Sequence, residues 1–392
     1  MWEEGVSRTG APRPPVSNGD LPTERAMTSR LFVTSVVRRA GQASASGFAT
    51  VLSTSGDVLA RAAVPESAHR AADPNPRGGL RGARGVSAWG DRLVVANADR
   101  LFVLRPDWRV EREITHPWMG GVHGVLAGAD GVWVACTAAD LLIQVDWHGR
   151  VVADWEWRQD ADLVSAFGFG RLPPVDRGVD YRDPDASRGR VRDVVHLNSV
   201  ARGPDGLLLS FGRVLSPDAL RRRSASRLAG RWAAAVGLGR RAAAATPAVP
   251  SGTVAGSRYA VVALDGDGRS SVVRMETGTS VPNHDLHLDG DLLVFCDTNR
   301  GRLVGVDLAT RAIRHAVPIP GEPSFVRGLA PLGGLGFAVG SQRPAAVHRV
   351  DLAAETVVAS FPLGGHPDES VHTIGRVPEA FDAPTDALFT SP

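Results

Sequence analysis

Six short segments of this sequence place a side chain capable of chemistry two residues ahead of an aliphatic one. They are Arg84-Gly-Val, His123-Gly-Val, Asn198-Ser-Val, His284-Asp-Leu, Arg327-Gly-Leu and His372-Thr-Ile. Of the 11 histidines in the chain, three fall on this recurring position, and His196 and His287 lie within three residues of it. Guanidinium forks, carboxamides and protonated imidazoles donate hydrogen bonds to an oxyanion. A neutral imidazole, with an ordinary pKa near ~6.5, serves as nucleophile, acid or base. His372, His123 and His284 could instead converge as a three-imidazole metal set with an open position. Arg84 and Arg327 stand against that reading, because they repel a divalent cation and favour an anion. A third reading is structural, in which the six groups bond backbone exposed around a solvated channel.

The elements that must position these groups follow from the repeat itself. Neighbouring segments are typically one blade apart, roughly 40–50 residues in repeat families of this kind. Several lead through a turn into an apolar strand, as in ADGVWVAC, PDGLLLSF, DGDLLVFC and GGLGFAVG. A strand ending in an aliphatic residue plus Asp follows, then a turn and a fourth run, as in RLVGVDLATRAIRHAV. Four short strands per repeat predict an all-β, six-bladed propeller with the innermost strands lining a central channel. The ring would then read His372, Arg84, His123, Asn198, His284, Arg327. Residues 31–65 offer three strands without an inner one, and residues 371–377 offer an inner strand with nothing after it. Pairing these ends closes the ring and removes exposed edges.

The propeller is expected over 29–377, with a flexible tail over 1–28 and a C-terminal tail over 378–392. Two insertions interrupt it. Residues 159–192 carry Gly, Pro and Asp turn signals and read as a long loop whose aromatic residues cover the channel mouth. Residues 214–256 hold an Ala-rich, Arg-clustered stretch with helical propensity.

Composition bounds the chemistry further. All 44 basic residues are Arg, which excludes Schiff-base lysine chemistry, a Walker lysine and pyridoxal anchoring. A formal net charge of +2 argues against nucleic-acid binding driven by bulk charge. Cys136 and Cys296 make no CxxC pair and no disulfide framework. The N-terminal stretch lacks an apolar h-region, and no run reaches membrane-span length. A cytoplasmic monomer with no integral membrane segment is expected.

A resemblance sharpens the anion reading. His196-Leu-Asn198-Ser-Val-Ala, running through Pro204-Asp-Gly to Arg213, resembles the His-x-Asn-Ser segment of the arylsulfate sulfotransferase family. Asn283-His284-Asp-Leu-His-Leu-Asp-Gly-Asp-Leu-Leu-Val-Phe resembles that family's second segment. The resemblance implies a six-bladed propeller that moves a sulfuryl group between phenols through a sulfated histidine, without a phosphoadenosine cofactor. It implies His284 as nucleophile, with His196, Asn198, Arg213 and His123 holding sulfuryl oxygens. The substrate would be a small anionic or phenolic molecule, and no cofactor is called for. The run from His196 through Asn299-Arg-Gly-Arg to Phe325-Val-Arg327-Gly-Leu-Ala is also similar to an uncharacterised bacterial propeller family; the alternatives to transfer are a non-catalytic ligand- or partner-binding propeller and a metal-dependent enzyme using the three-histidine site.

Overall fold

The computed structural model describes residues 30–41, 43–72, 82–187, 190–221, 258–277, 282–384 and 388–390. The described residues build six four-stranded antiparallel sheets. The first three strands are β1 (Leu31–Val37), β2 (Phe48–Leu52) and β3 (Val58–Ala63). The second sheet is β4 (Val86–Trp89), β5 (Arg92–Ala96), β6 (Arg100–Leu104) and β7 (Val110–Thr115). The third is β8 (Val122–Gly128), β9 (Gly131–Cys136), β10 (Leu141–Val145) and β11 (Val151–Trp155). The fourth is β12 (Leu197–Arg202), β13 (Gly206–Val214), β14 (Arg258–Asp265) and β15 (Ser270–Thr277). The fifth is β16 (His284–Asp289), β17 (Leu292–Asp297), β18 (Arg302–Asp307) and β19 (Ile313–Pro318). The sixth is β20 (Arg327–Gly333), β21 (Gly336–Gly340), β22 (Ala346–Asp351) and β23 (Thr356–Pro362). The last strand, β24 (Glu369–Arg376), returns to the first sheet, whose order is β24-β1-β2-β3.

Residue pattern and place in the blade agree. The middle strand β17, Leu-Leu-Val-Phe-Cys-Asp, is buried at every position, because neighbouring blades cover both of its faces. The outermost strand β23 alternates exposed and half-buried residues, as an edge with one packed face requires. Burying each Leu, Val or Phe of the inner layers contributes about 1.5–3 kcal/mol, and that inter-blade burial holds the ring together.

Closure takes the expected form. β1 and β24 pair antiparallel, with Leu31 opposite Arg376 and Val37 opposite Glu369. The joint is latched by the fully buried Glu369 carboxylate, which accepts from Arg61 Nη2 at 2.8 and 2.9 Å and from Ser35 Oγ at 2.6 Å. Thr34 Oγ1 donates to the Arg84 carbonyl at 2.6 Å and ties the joint to the next blade.

The first insertion is a long loop as read, except at its start. Residues 157–159 form a 3-10 turn and α1 (Ala161–Ala166) follows, capped by Asp160 Oδ1 accepting from the Leu163 amide, while the described residues from 167 to 196 carry no helix or strand. Phe167 and Phe169 pack with Trp157 and Phe211 in the core beneath the sheets. These large aromatic rings gain more by leaving water than by lying across an open channel. Of the second insertion, residues 217–221 are helical; the Arg/Ala-rich stretch beyond them and the 1–28 tail lie outside the described residues. Past residue 377, Phe381 and Leu388 are buried, and Phe381 meets Trp108 edge-on with ring centroids 4.8 Å apart. Among the described residues no helix is long and apolar enough to cross a membrane.

Candidate functional site

The six inner strands β24, β4, β8, β12, β16 and β20 pack each on the next around the axis. This crowding explains the glycine in the recurring segments. A Cβ on Gly85 would lie 2.8 Å from the His123 carbonyl, and one on Gly124 would lie 2.8 Å from Ser199 Cα. Inner strands approach this closely only where one of them lacks a side chain.

Around the axis Arg84, His123, His372, His196, His284 and Arg327 come together. Arg84 Nη1 lies 3.3 Å from Nε2 of both His123 and His372. His123 Nδ1 sits 2.8 Å from the Gly121 carbonyl, so it donates there and leaves Nε2 to accept from Arg84. His372 Nδ1 lies 3.1 Å from Thr373 Oγ1, which permits the same tautomer. The His123 ring is 5.4 Å from His372 and 5.0 Å from His196, and His196 is 6.1 Å from His284, centroid to centroid. The imidazoles therefore form a continuous row.

Burial, with neighbouring guanidiniums second, holds three of these imidazoles far below the usual histidine range. For His284 and His372 the guanidinium is Arg327, and for His123 it is Arg84. All three are neutral at neutral pH, which suits a nucleophile and leaves none of them poised as an acid. His284 is the distinctive member. Its Nδ1 lies 2.8 Å from Thr298 Oγ1, which is also 3.4 Å from the Cys296 carbonyl. With the hydroxyl donating to that carbonyl, Nδ1 keeps its proton and Nε2 keeps its lone pair. That Nε2 is buried and has no hydrogen-bond partner among the described residues.

Arg327 is 7% exposed, makes no ion pair among the described residues, and leaves Nε without a partner. Burial, with Arg38 and Arg84 after it, pushes the guanidinium down to about 9. The Phe325 ring lies 5.8 Å from Arg327 Cζ, 4.9 Å from Arg38 Cζ and 6.3 Å from the His284 ring. Asp285 Oδ2 accepts from the Gly328 amide at 2.8 Å, while burial pushes its carboxyl up to about 6. A small open cleft of about 50 Å³ lies here, walled by Arg38, Arg84, Arg327, Ser370 and His372. Among the described residues no carboxylate lines it.

Two expected oxyanion donors are otherwise engaged. Arg213 Nη2 donates to Asp193 Oδ2 at 2.9 Å, and the other oxygen of Asp193 takes His196 Nδ1 at 2.7 Å. Asn198 is buried beside the axis with its Nδ2 donating to the Asn283 carbonyl at 2.6 Å, so its donor ties two blades together, and its Oδ1 has no partner among the described residues. His287 lies off the axial row, its ring 5.6 Å from Phe337. The three-imidazole metal set is not assembled: the lone pairs of His123 and His372 both point at the Arg84 guanidinium. No group of three His, Cys, Asp or Glu among the described residues is arranged to hold a metal ion.

Sequence reasoning missed Asp193, Arg38, Phe325 and the threonines behind the histidines. The threonines had a signal. Thr137 Oγ1 lies 3.0 Å from His123 Nδ1, and Thr298 stands in the same relation to His284. In both blades a Cys stands at or next to the last residue of the second strand, with the Thr one or two residues beyond it.

The chain is a six-bladed β-propeller with a row of imidazoles and a buried arginine at its axis. No protein-family model and no curated protein sequence matches it. Among solved structures it is similar to a protein of unknown function from Bacteroides caccae, at 12% identity over 90% of this chain and 100% of that one, with a TM-score of 0.50. The nidogen/laminin complex matches at 9% identity over 89% and 98%, with a TM-score of 0.51. Virginiamycin B lyase from Staphylococcus aureus overlaps more loosely, at 11% identity over 73% and 85%, with a TM-score of 0.42. At these identities the likeness speaks to the fold alone.

Proposed function

We propose that the axial cleft takes the oxyanion of an aryl sulfate and that His284 accepts its sulfuryl group for transfer to a phenol. The observation that carries this reading is the pair at its centre. Arg327 is a buried guanidinium without a carboxylate partner among the described residues, beside a neutral imidazole whose Nε2 has none either. Holding such a charge unpaired is costly unless an anion completes the site.

In the reaction, the His284 Nε2 lone pair forms a bond to sulfur as the S–O bond to the aryl oxygen breaks. The electron pair leaves with the phenolate. Nδ1 keeps its proton on Thr298, so the ring can carry the sulfuryl group without first shedding a proton. Arg327, assisted by Arg84 and Arg38 along the cleft wall, supports the charge on the non-bridging oxygens. The resemblance to arylsulfate sulfotransferases supports the same assignment. Arg213 and His196 enter it through Asp193 rather than as direct oxyanion donors.

Anion binding without transfer is favoured by one observation. The cleft opens onto His372 and Arg84, while His284 Nε2 is enclosed. Incubation with 4-nitrophenyl sulfate and excess phenol separates the two readings. The transfer reading expects nitrophenolate release that is lost in His284→Ala and in Arg327→Met. Binding of the ester with no release would overturn transfer and leave a binding propeller.

A further inference from the structure

Asp193 and His196 were not expected to form a unit, yet the chain goes to some length to make them one. Both residues adopt left-handed backbone, with φ of 51° and 50°. Non-glycine residues hold such conformations at a cost of order 1–3 kcal/mol each, and only where their surroundings over-determine them. Here the surroundings do. The Gly212, Arg213 and Leu215 amides donate to the carbonyls of His196, Val195 and Val194 at 3.1, 3.3 and 2.9 Å. From the other side, the Val194 amide donates to Asp140 Oδ2, and Asp140 is itself paired with the buried Arg158 at 3.4 Å.

The result is a carboxylate held from two directions. Asp193 Oδ2 accepts from Arg213 and Oδ1 receives His196 Nδ1. That fixes the His196 tautomer with Nε2 free to accept a proton. The His196 side chain is 18% exposed, against 3% for residue His284, so it is the more accessible of the two rings. Charged and titratable groups acting on it are Asp193, Arg213, Arg327, His123 and His284.

Resting on the transfer reading above, we propose that His196 is the general base for the phenolic acceptor and that Asp193, clamped by Arg213, is its positioning residue. His196 Nε2 takes the proton of the phenol hydroxyl. The phenol oxygen then attacks sulfur on His284, the N–S bond breaks, and its electron pair returns to His284 Nε2. The proton on His196 passes to solvent, and both imidazoles end neutral.

Separating the two half-reactions tests this. Wild type, Asp193→Asn, Asp193→Glu and His196→Gln are each loaded from 4-nitrophenyl sulfate, and the His284 adduct is measured by intact mass. Discharge is then followed with an unionised alkylphenol and with a nitrophenol already ionised at the assay pH. The expected result is that Asp193→Asn and His196→Gln still load, yet discharge to the alkylphenol falls by roughly 10²-fold, the scale of a lost general base. Discharge to the ionised nitrophenol should fall less than threefold, because that acceptor has no proton to lose, and Asp193→Glu should recover part of the alkylphenol rate. Equal losses toward both acceptors, or no loss toward either, would overturn the base assignment while leaving His284 as acceptor. Absence of an adduct on the wild-type protein would overturn the transfer reading and this inference with it. Failure of both Asp193→Asn and His196→Gln to load, with wild type loading, would place the dyad in the first half-reaction and overturn the assignment.

Discussion

Replacing Arg327 with Met should raise stability and weaken anion binding, and the opposed signs make this change informative. The guanidinium is 7% exposed with no ion pair among the described residues. Its displacement from the ordinary guanidinium range down to about 9 reflects burial first, then Arg38 and Arg84. At roughly 1.4 kcal/mol per pKa unit, keeping the charge there costs the folded protein several kcal/mol. A depressed basic pKa means the unfolded chain holds the proton more tightly. The penalty is therefore fully present below about 9 and fades as pH rises from there toward the ordinary guanidinium range. Methionine has similar length and needs no counter-charge, so the urea midpoint at neutral pH should rise. Loss of a charge-assisted contact to a bound oxyanion removes about 2–3 kcal/mol, which is roughly a thirty- to 150-fold weakening. Calorimetric titration with 4-nitrophenyl sulfate, alongside urea unfolding of the same preparations, measures both. A variant that is less stable and binds the ester as before would show that the guanidinium is structural, and the site argument would fall.

Three further outcomes follow from the same geometry. Glu369→Gln should lower stability by about 2–3 kcal/mol in urea unfolding, the cost of breaking a buried pair discounted for an Arg61 side chain that is 21% exposed. Gly212→Ala should cost about 1–3 kcal/mol, because its Cβ would lie 2.2 Å from Asn198 Nδ2 and 2.6 Å from the Asn283 carbonyl; unchanged thermal unfolding would show that the blade junction yields. His348 lies between Ser360 Oγ at 2.8 Å and Ser341 Oγ at 3.0 Å, and burial pushes it down to about 4. Because the unfolded chain takes the proton first, stability should fall as pH drops from about 6.5 toward 4, and His348→Gln should flatten that slope in unfolding measured across this window.

Much of the ring was legible in the sequence because a propeller repeats its constraints once per blade. The polar-x-aliphatic segments, the Asp-Gly turns and the complementary ends each follow from local rules. They led to the blade count, the order around the axis and the pairing of β24 with β1. What escaped has no repeat to reveal it. Asp193 lies in the irregular segment before β12, and its relation to His196 depends on paired left-handed residues that residue types alone do not announce. Arg213 seemed free to bind an oxyanion because its partner lies 20 residues upstream. Phe167 and Phe169 were assigned to the channel mouth because loop signals in 159–192 masked a six-residue helix and an aromatic core. Thr137 and Thr298 could have been found, since each lies one or two residues past a Cys at or next to the end of a second strand.

The central claim is that His284 Nε2 is an acceptor, and intact-mass analysis of the protein after brief exposure to 4-nitrophenyl sulfate without any phenol tests it most directly. The account predicts one added sulfuryl group per chain, absent in His284→Ala and discharged when phenol is supplied. A wild-type mass that stays unchanged while the ester is shown to bind would contradict it.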